Sequence, residues 1–549
     1  MGMTVEAMTT FSIRRFRRAA LPVGVPALLF FLTGCATLPG AGGEEPDPVR
    51  TMEGIVTTPP LDQVHWGIHV VDAGSGAVLY TRNAHKKFVP ASNMKILSTA
   101  AALSLLGPDH RYRTEVWGLG PMEEGSGVLE GDLVVRGVGD PTLSDRFYPS
   151  ATAPLDSLAV RLRNEGLRRV RGALVVDASA WDSTSVPGSW MVGNLPWRYA
   201  ATGGAFAIGE GEIVMEVTAG RDEGSPARVR SWPPTESDFF TAFFVTTHPD
   251  SGSSLDVHYR PESRRLRVEG RIPAGAVDTF SVAQRDPVRL AADALLKRLE
   301  AGGIRVESGV RISWEPGEPL GPGRCLTGRL DRADSAAAAA PEAHHLLPHC
   351  EGARPLATLT SPPMAEIVQA ILEPSQNWMT EQLVRTLGMV EDGEGSWRNG
   401  FRVQEAFLVE RVGADSLDFS FRDGSGLAAY NLVTPRGIVE ILEYMRRSPH
   451  ADVYRRALAE PGEEESTLRR RLPELKGRLW AKTGTITHVN SLSGYLTGRD
   501  GRELIFSVLT NGSGLSSGTV RAGIDAVVKA AAGGTSPPGR GTDDPPEGT

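Results

Sequence analysis

The chain is 549 residues long, too long for one compact core and long enough for two or three domains. Hydrophobic residues make up 40% and charged residues 23%, which excludes a disordered or fibrous protein and fits an ordinary globular one. The formal net charge is −8, and no Lys/Arg-rich stripe occurs beyond the N-terminal segment, so nucleic acid is not an expected partner.

Residues 1–34 read as an address rather than as fold. Arg14, Arg15, Arg17 and Arg18 form a cationic region, and Ala19 to Leu32 is an apolar stretch too short for a comfortable membrane span. It ends in Leu32-Thr33-Gly34-Cys35, which resembles a bacterial lipobox and implies lipidation of Cys35, an envelope location and a membrane contact through the lipid. The next residue is Ala36 rather than Asp, which fits retention at an outer membrane. Residues 35–54, rich in Gly, Pro and Glu, are expected to form a tether. Residues 536–549 have a similar makeup and are expected to be a disordered tail.

Folded structure is expected from about Trp66. His69 to Asp72 and Val78 to Tyr80 flank Gly-Ser-Gly and predict a hairpin. Ser92 to Leu106 is rich in Ala, Leu, Ile and Met, lacks interior Pro or Gly and stops at Gly107-Pro108, which predicts a buried helix. From Tyr112 to Trp314 short apolar runs alternate with Gly, Pro and Asp. This texture predicts a largely β insertion with one helix near Pro287 to Gly302. Residues 315–355 read as a long surface loop. Helices are predicted again over Pro363 to Leu387 and Thr434 to Arg447, then strands over Leu479 to Ile486, Ser491 to Thr497 and Leu504 to Thr510, and a last helix over Thr519 to Ala532.

Three short motifs carry chemistry by their order. In Ser92-Asn93-Met94-Lys95, positions i and i+3 of a helix share a face, so Lys95 can place its amine beside the Ser92 hydroxyl. A serine hydroxyl needs a base, and a lysine serves as one when burial lowers its pKa. The backbone N–H of Ser92, at a helix start, suits an oxyanion. In Ser375-Gln376-Asn377 the hydroxyl can relay a proton to a leaving amine and the amide can hold a peptide carbonyl. In Lys482-Thr483-Gly484-Thr485, Gly484 lets a substrate lie close to a strand edge, and Lys482 supplies positive charge for a carboxylate. The Thr483 and Thr485 hydroxyls can bind that carboxylate, and the Thr485 N–H can be the second oxyanion donor. Each motif alone is also what an N-cap or a turn would show.

The order S-x-x-K, S-x-N, K-T-G in an exported chain resembles the penicillin-recognising serine enzymes. Ser361 to Val368, Glu381-Gln382-Leu383, Gly139 to Leu143, Asp423 to Leu427 and Ser493-Gly494-Tyr495 narrow the resemblance. They resemble the class C low-molecular-mass penicillin-binding proteins, the D-alanyl-D-alanine carboxypeptidase/endopeptidases of peptidase family S13. The similarity covers nearly all of Trp66 to Ala532. Ala428 departs from it, since the family usually has Ser there.

The resemblance implies an α/β (α+β) transpeptidase/β-lactamase-like domain formed by residues 55–115 and 356–535, interrupted by a mostly β insertion over 116–355 that divides into two subdomains. It implies acyl transfer: Ser92 is the nucleophile and Lys95 the base, with Ser375, Asn377 and Lys482 catalytic. Thr483, Gly484 and Thr485 would bind substrate. The expected partners are peptidoglycan stem peptides ending in D-Ala-D-Ala or cross-linked muropeptides, and β-lactams as covalent inhibitors; no cofactor is needed. A β-lactamase and a wall-peptide-binding lipoprotein with little turnover are the alternatives. His344, His345, His349 and Cys350 are spaced too irregularly for a metal site, and Cys325 and Cys350 leave a disulfide open.

Overall fold

The computed structural model describes residues 47–123, 125–233, 240–260, 265–315 and 353–533, and the backbone of 319–320 and 325–326. The N-terminal segment with Cys35, the His-rich patch, Cys350 and the C-terminal residues lie outside the described residues, as does the question of the disulfide.

The first and last parts of the chain build one antiparallel sheet. Its strands run in the order Val78–Arg82, His65–Asp72, Glu503–Asn511, Val489–Thr497, Leu479–Ile486. Both faces are covered, and the side chains alternate between two cores as a period of two requires. From Glu503–Asn511, Leu504, Phe506 and Val508 enter one core, and Ile505 and Leu509 enter the other. The first core is closed by the helices Pro48–Thr57 and Ser517–Ala531. The second is closed by the helices Met94–Leu106, Met364–Leu372, Asn377–Asp392 and Pro435–Arg447. Met94–Leu106 is apolar all round and is buried all round over its first ten residues, the expected fate of such a helix.

The helix Pro48–Thr57 corrects the expected tether. Val49, Met52 and Val56 recur at helical spacing, and Met52 and Val56 are fully buried against the C-terminal helix. Asp47 caps the helix at Val49 N, and Pro48 occupies its first turn. The Pro and Gly around this segment masked its apolar stripe.

The insertion leaves through Arg113–Leu119 and returns through Ala353–Thr360, which pair antiparallel from Arg113↔Thr360 onward. A chain that leaves and re-enters on adjacent strands can be interrupted without opening the first domain. These two strands edge a second sheet, in the order Val310–Ser313, Leu174–Asp177, Asp132–Arg136, Arg113–Leu119, Ala353–Thr360, whose first three members are parallel. The helices Ala153–Asn164 and Pro287–Ala301 pack on it. The first of these was not expected from sequence, because Arg161, Arg163 and Asn164 dilute its apolar face. Nested between Ile208 and Gln284 are two three-stranded sheets over residues 212–283, which share one apolar core around Met215, Phe244 and Val268.

Candidate active site

Ser92 sits in a 3-10 turn, Ala91–Asn93, that runs directly into the helix Met94–Leu106. Ala91 has a φ of 47°, a left-handed conformation that a non-glycine residue holds only when its surroundings impose it. Two neighbours do so. Ser491 Oγ donates to the Pro90 carbonyl at 2.8 Å. On the other side Gly426 packs so closely that a Cβ there would overlap the Ala91 carbonyl.

Lys95 lies one turn on from Ser92 and is fully buried. Its Nζ is 2.9 Å from Ser92 Oγ, 2.6 Å from Asn377 Oδ1 and 2.8 Å from the Ser425 carbonyl. This three-partner geometry accommodates both the ammonium, which can donate to all three, and the neutral amine. A neutral amine has two N–H donors and one lone pair. Asn377 Oδ1 and the Ser425 carbonyl are acceptors only, so they take both N–H groups and leave the lone pair for the Ser92 hydroxyl. Burial pulls the Lys95 pKa down to about 7, against the opposing charges of Asp423 and Glu381. The amine therefore accepts a proton readily near neutrality.

Asn377 opens the helix Asn377–Asp392, and its Nδ2 donates to the Tyr199 carbonyl of the insertion at 2.7 Å. Ser375 precedes it at a φ of 68°, again left-handed, in the break between two helices. Among the described residues no hydrogen bond joins the Ser375 hydroxyl to Ser92 or Lys95.

Lys482, Thr483, Gly484 and Thr485 occupy the edge strand Leu479–Ile486, whose outer side carries no further strand of the sheet. A Cβ on Gly484 would stand 2.9 Å from both Ser92 N and the Pro90 carbonyl and would overlap Ser491 Oγ. The strand therefore lies against the Ser92 backbone N–H only because residue 484 is glycine. Thr483 Oγ1 donates to Thr467 Oγ1 at 2.8 Å, and Thr485 is exposed, with Oγ1 3.3 Å from Asn490 Oδ1. Lys482 is fully buried, and Nζ donates to the Thr483 carbonyl at 2.9 Å. Burial, with Lys95 nearby, holds its pKa well below the ordinary lysine value. Burial thus works against the positive charge expected of Lys482 from sequence.

Sequence reasoning missed the frame around these groups. Asp423 is buried and accepts from Gly426 N (2.7 Å), Ala428 N (2.5 Å), Asn431 Nδ2 (2.6 Å) and Trp190 Nε1 (2.8 Å). These bonds make Asp423 the centre of the turn Asp423 to Asn431. Ala428 contributes its backbone to that turn and packs with Trp190 and Leu427, so the missing Ser hydroxyl leaves Asp423 fully engaged. His488 is exposed at the hairpin after the edge strand, with Nδ1 2.9 Å from the Ser513 carbonyl, and belongs to no part of this network. Arg385 is buried between the rings of Trp181 and Trp397, 4.8 and 4.6 Å from their centroids, and pairs with Asp182 at 2.6 Å. That contact ties the insertion to the helix of Asn377. Asp and Glu near Gly-rich turns were visible in the chain; what they hold was not.

The profile of the D-Ala-D-Ala carboxypeptidase 3 (S13) family matches residues 49–320 and 345–533. A D-alanyl-D-alanine carboxypeptidase of Actinomadura sp. is 31% identical over 511 residues, 90% of this chain and 87% of that one. The carboxypeptidase DacB of Haemophilus influenzae is 23% identical over 440 residues, 78% of this chain and 82% of the relative. In fold, the chain is similar to the crystal structure of penicillin binding protein 4 (dacB) from H. influenzae, with a TM-score of 0.68 at 20% identity, covering 87% of this chain and 98% of that one. The extent of the profile match and the Actinomadura relative place this chain in the D-Ala-D-Ala carboxypeptidase 3 (S13) family of serine peptidases.

Proposed function

We propose that this hydrolase cleaves the D-alanyl bond of peptidoglycan stem peptides through an acyl-enzyme on Ser92, and that penicillin stops it by forming a stable analogue of that intermediate. The observation that carries the reading is the grip on Lys95 Nζ beside Ser92 Oγ, whose two fixed acceptors leave the lone pair for Ser92 Oγ whenever the amine is neutral. Ser92 Oγ attacks the carbonyl of the penultimate D-alanine as its proton passes to Lys95. Backbone N–H groups of Ser92 and Thr485 stabilise the oxyanion. The C–N bond breaks, and the leaving amine takes a proton relayed through Lys95, Ser375 and Lys482. Water then attacks the ester, returns the proton to Ser92 and releases the shortened peptide. Asn377 orients Lys95 and the substrate amide, and Thr483 and Thr485 receive the terminal carboxylate beside Gly484. The same steps serve a terminal D-alanine or a cross-linking one, so carboxypeptidase and DD-endopeptidase action share this site. Leu32 to Cys35 support an exported, lipid-anchored envelope protein, probed by whether Cys35→Ala releases the protein from membranes.

The test is intact-mass spectrometry of the chain lacking residues 1–35 after incubation with benzylpenicillin. A lasting adduct on the peptide containing Ser92, lost in Ser92→Ala, is expected. Penicillin consumed with the protein mass unchanged would replace this reading with a β-lactamase. Folded protein with neither adduct nor penicillin loss would leave a wall-peptide binder.

A further inference from the structure

The buried carboxyl of Glu381 has no part in the acyl transfer just described, yet it is one residue removed from the base. It lies one helical turn after Asn377, on the same face of Asn377–Asp392. Its oxygens accept from Gly424 N at 3.0 Å, Ser425 N at 2.8 Å and Trp397 Nε1 at 2.7 Å. The peptide so held presents the Ser425 carbonyl to Lys95 Nζ at 2.8 Å. One helix thus supplies one acceptor for Lys95 directly, through Asn377 Oδ1, and fixes the other through Glu381. No cation pairs with Glu381 at contact distance among the described residues. The charged groups around it are Lys95 on the nucleophile helix, with Lys482 behind it on the edge strand; Asp423 on the turn; and Arg385 on its own helix, paired with Asp182 of the insertion. The helix Trp397–Phe407 offers it only the Trp397 indole.

We propose that Glu381 is a positioning residue for the general base: its carboxylate clamps the Gly424–Ser425 backbone so that the Ser425 carbonyl holds Lys95, and its charge sets the pH at which Lys95 becomes available to Ser92. Burial and the neighbouring Asp423 raise the Glu381 carboxyl, and its charge in turn raises Lys95. The charge on Glu381 therefore bears on how readily Lys95 gives up its proton. The Trp397 N–H favours the ionised carboxylate and so belongs to the same device.

This inference rests on the reading of Ser92 and Lys95 above, and its test separates the two. The rate of benzylpenicillin adduct formation is measured from pH 5 to 9 for the wild type, Glu381→Gln and Trp397→Phe. Loss of the Glu381 charge removes support for protonated Lys95, so the acid limb of the Glu381→Gln profile is expected to move down by about one pH unit, with a lower plateau from the loosened turn. Trp397→Phe, which keeps an aromatic ring against Arg385, is expected to move the limb in the same direction by less. It carries the test if Glu381→Gln does not fold. A lower plateau with unmoved limbs in the folded variants would reduce Glu381 to a structural residue and overturn the proposal. A wild type that forms no adduct would overturn the underlying assignment of Ser92 instead.

Discussion

The side-chain amide of Asn93 donates to the main-chain carbonyl of Lys482 across 2.9 Å, in a fully buried setting. It fastens the residue after Ser92 to the strand that carries the third motif, 389 residues further along the chain. Asn93→Ala would leave the Lys482 carbonyl without that partner. We expect a loss of about 1–3 kcal/mol in denaturant unfolding. Penicillin acylation should slow as well, because the edge strand no longer has a fixed distance from Ser92 N.

Gly484→Ala tests the approach of that strand from the other side. The added methyl has no space between Ser92 N, the Pro90 carbonyl and Ser491 Oγ. Overpacking at such a site costs about 1–3 kcal/mol, and here the displaced atoms include those of the Ser92 turn. Acylation is expected to be nearly abolished while the circular dichroism spectrum stays native. Unchanged acylation would mean that the strand does not border the reacting carbonyl.

The pH dependence follows from Lys95. Its pKa is brought down to about 7, so the wild-type rate of adduct formation should rise through an acid limb near that pH as the amine loses its proton. Lys95→Arg, permanently charged, should cost about 10²–10⁴-fold at every pH. Stability carries the same signature. An unfolded lysine holds its proton up to about the ordinary 10.5, whereas folded Lys95 gives it up near 7. Between those values the unfolded state binds more protons, so stability rises with pH, and Lys482 adds to the trend in the same direction. Denaturant midpoints at pH 7.5 and 9.5, compared between wild type and Lys95→Met, check this contribution; the variant should show less of the rise.

Arg385→Ala probes the tie to the insertion. It would leave the Asp182 carboxylate without its partner and open the stack between Trp181 and Trp397. Removing one member of a fully buried ion pair costs about 3–5 kcal/mol, and since Asp182 is partly exposed to water the loss here is expected to be smaller. Limited proteolysis should then cut the insertion faster than the catalytic domain. Equal protection of both would show that the insertion is held mainly elsewhere.

The helix after Ser92 and the three strands that close the main sheet were legible in the chain because each has one unmixed period and clean stops. Met94–Leu106 ends at a glycine with a φ of 85° followed by proline, a local signal that needs no tertiary context. The helices Pro48–Thr57, Ala153–Asn164 and Trp397–Phe407 were missed. Each interleaves polar or charged residues with a narrow apolar stripe, and only packing against a neighbour stabilises it.

By itself, the sequence determined the chemistry available to this protein: a hydroxyl and an amine one helical turn apart, a glycine in a strand, and the order of three motifs that marks the family. Those are properties of local spacing, and spacing is written in the chain. Only the tertiary structure decided what that chemistry becomes. Burial is a property of the whole fold. It weakens the charge preference of Lys482, brings the Lys95 pKa to about 7 and surrounds Lys95 with two acceptors from segments hundreds of residues away, one of them held in place by Glu381.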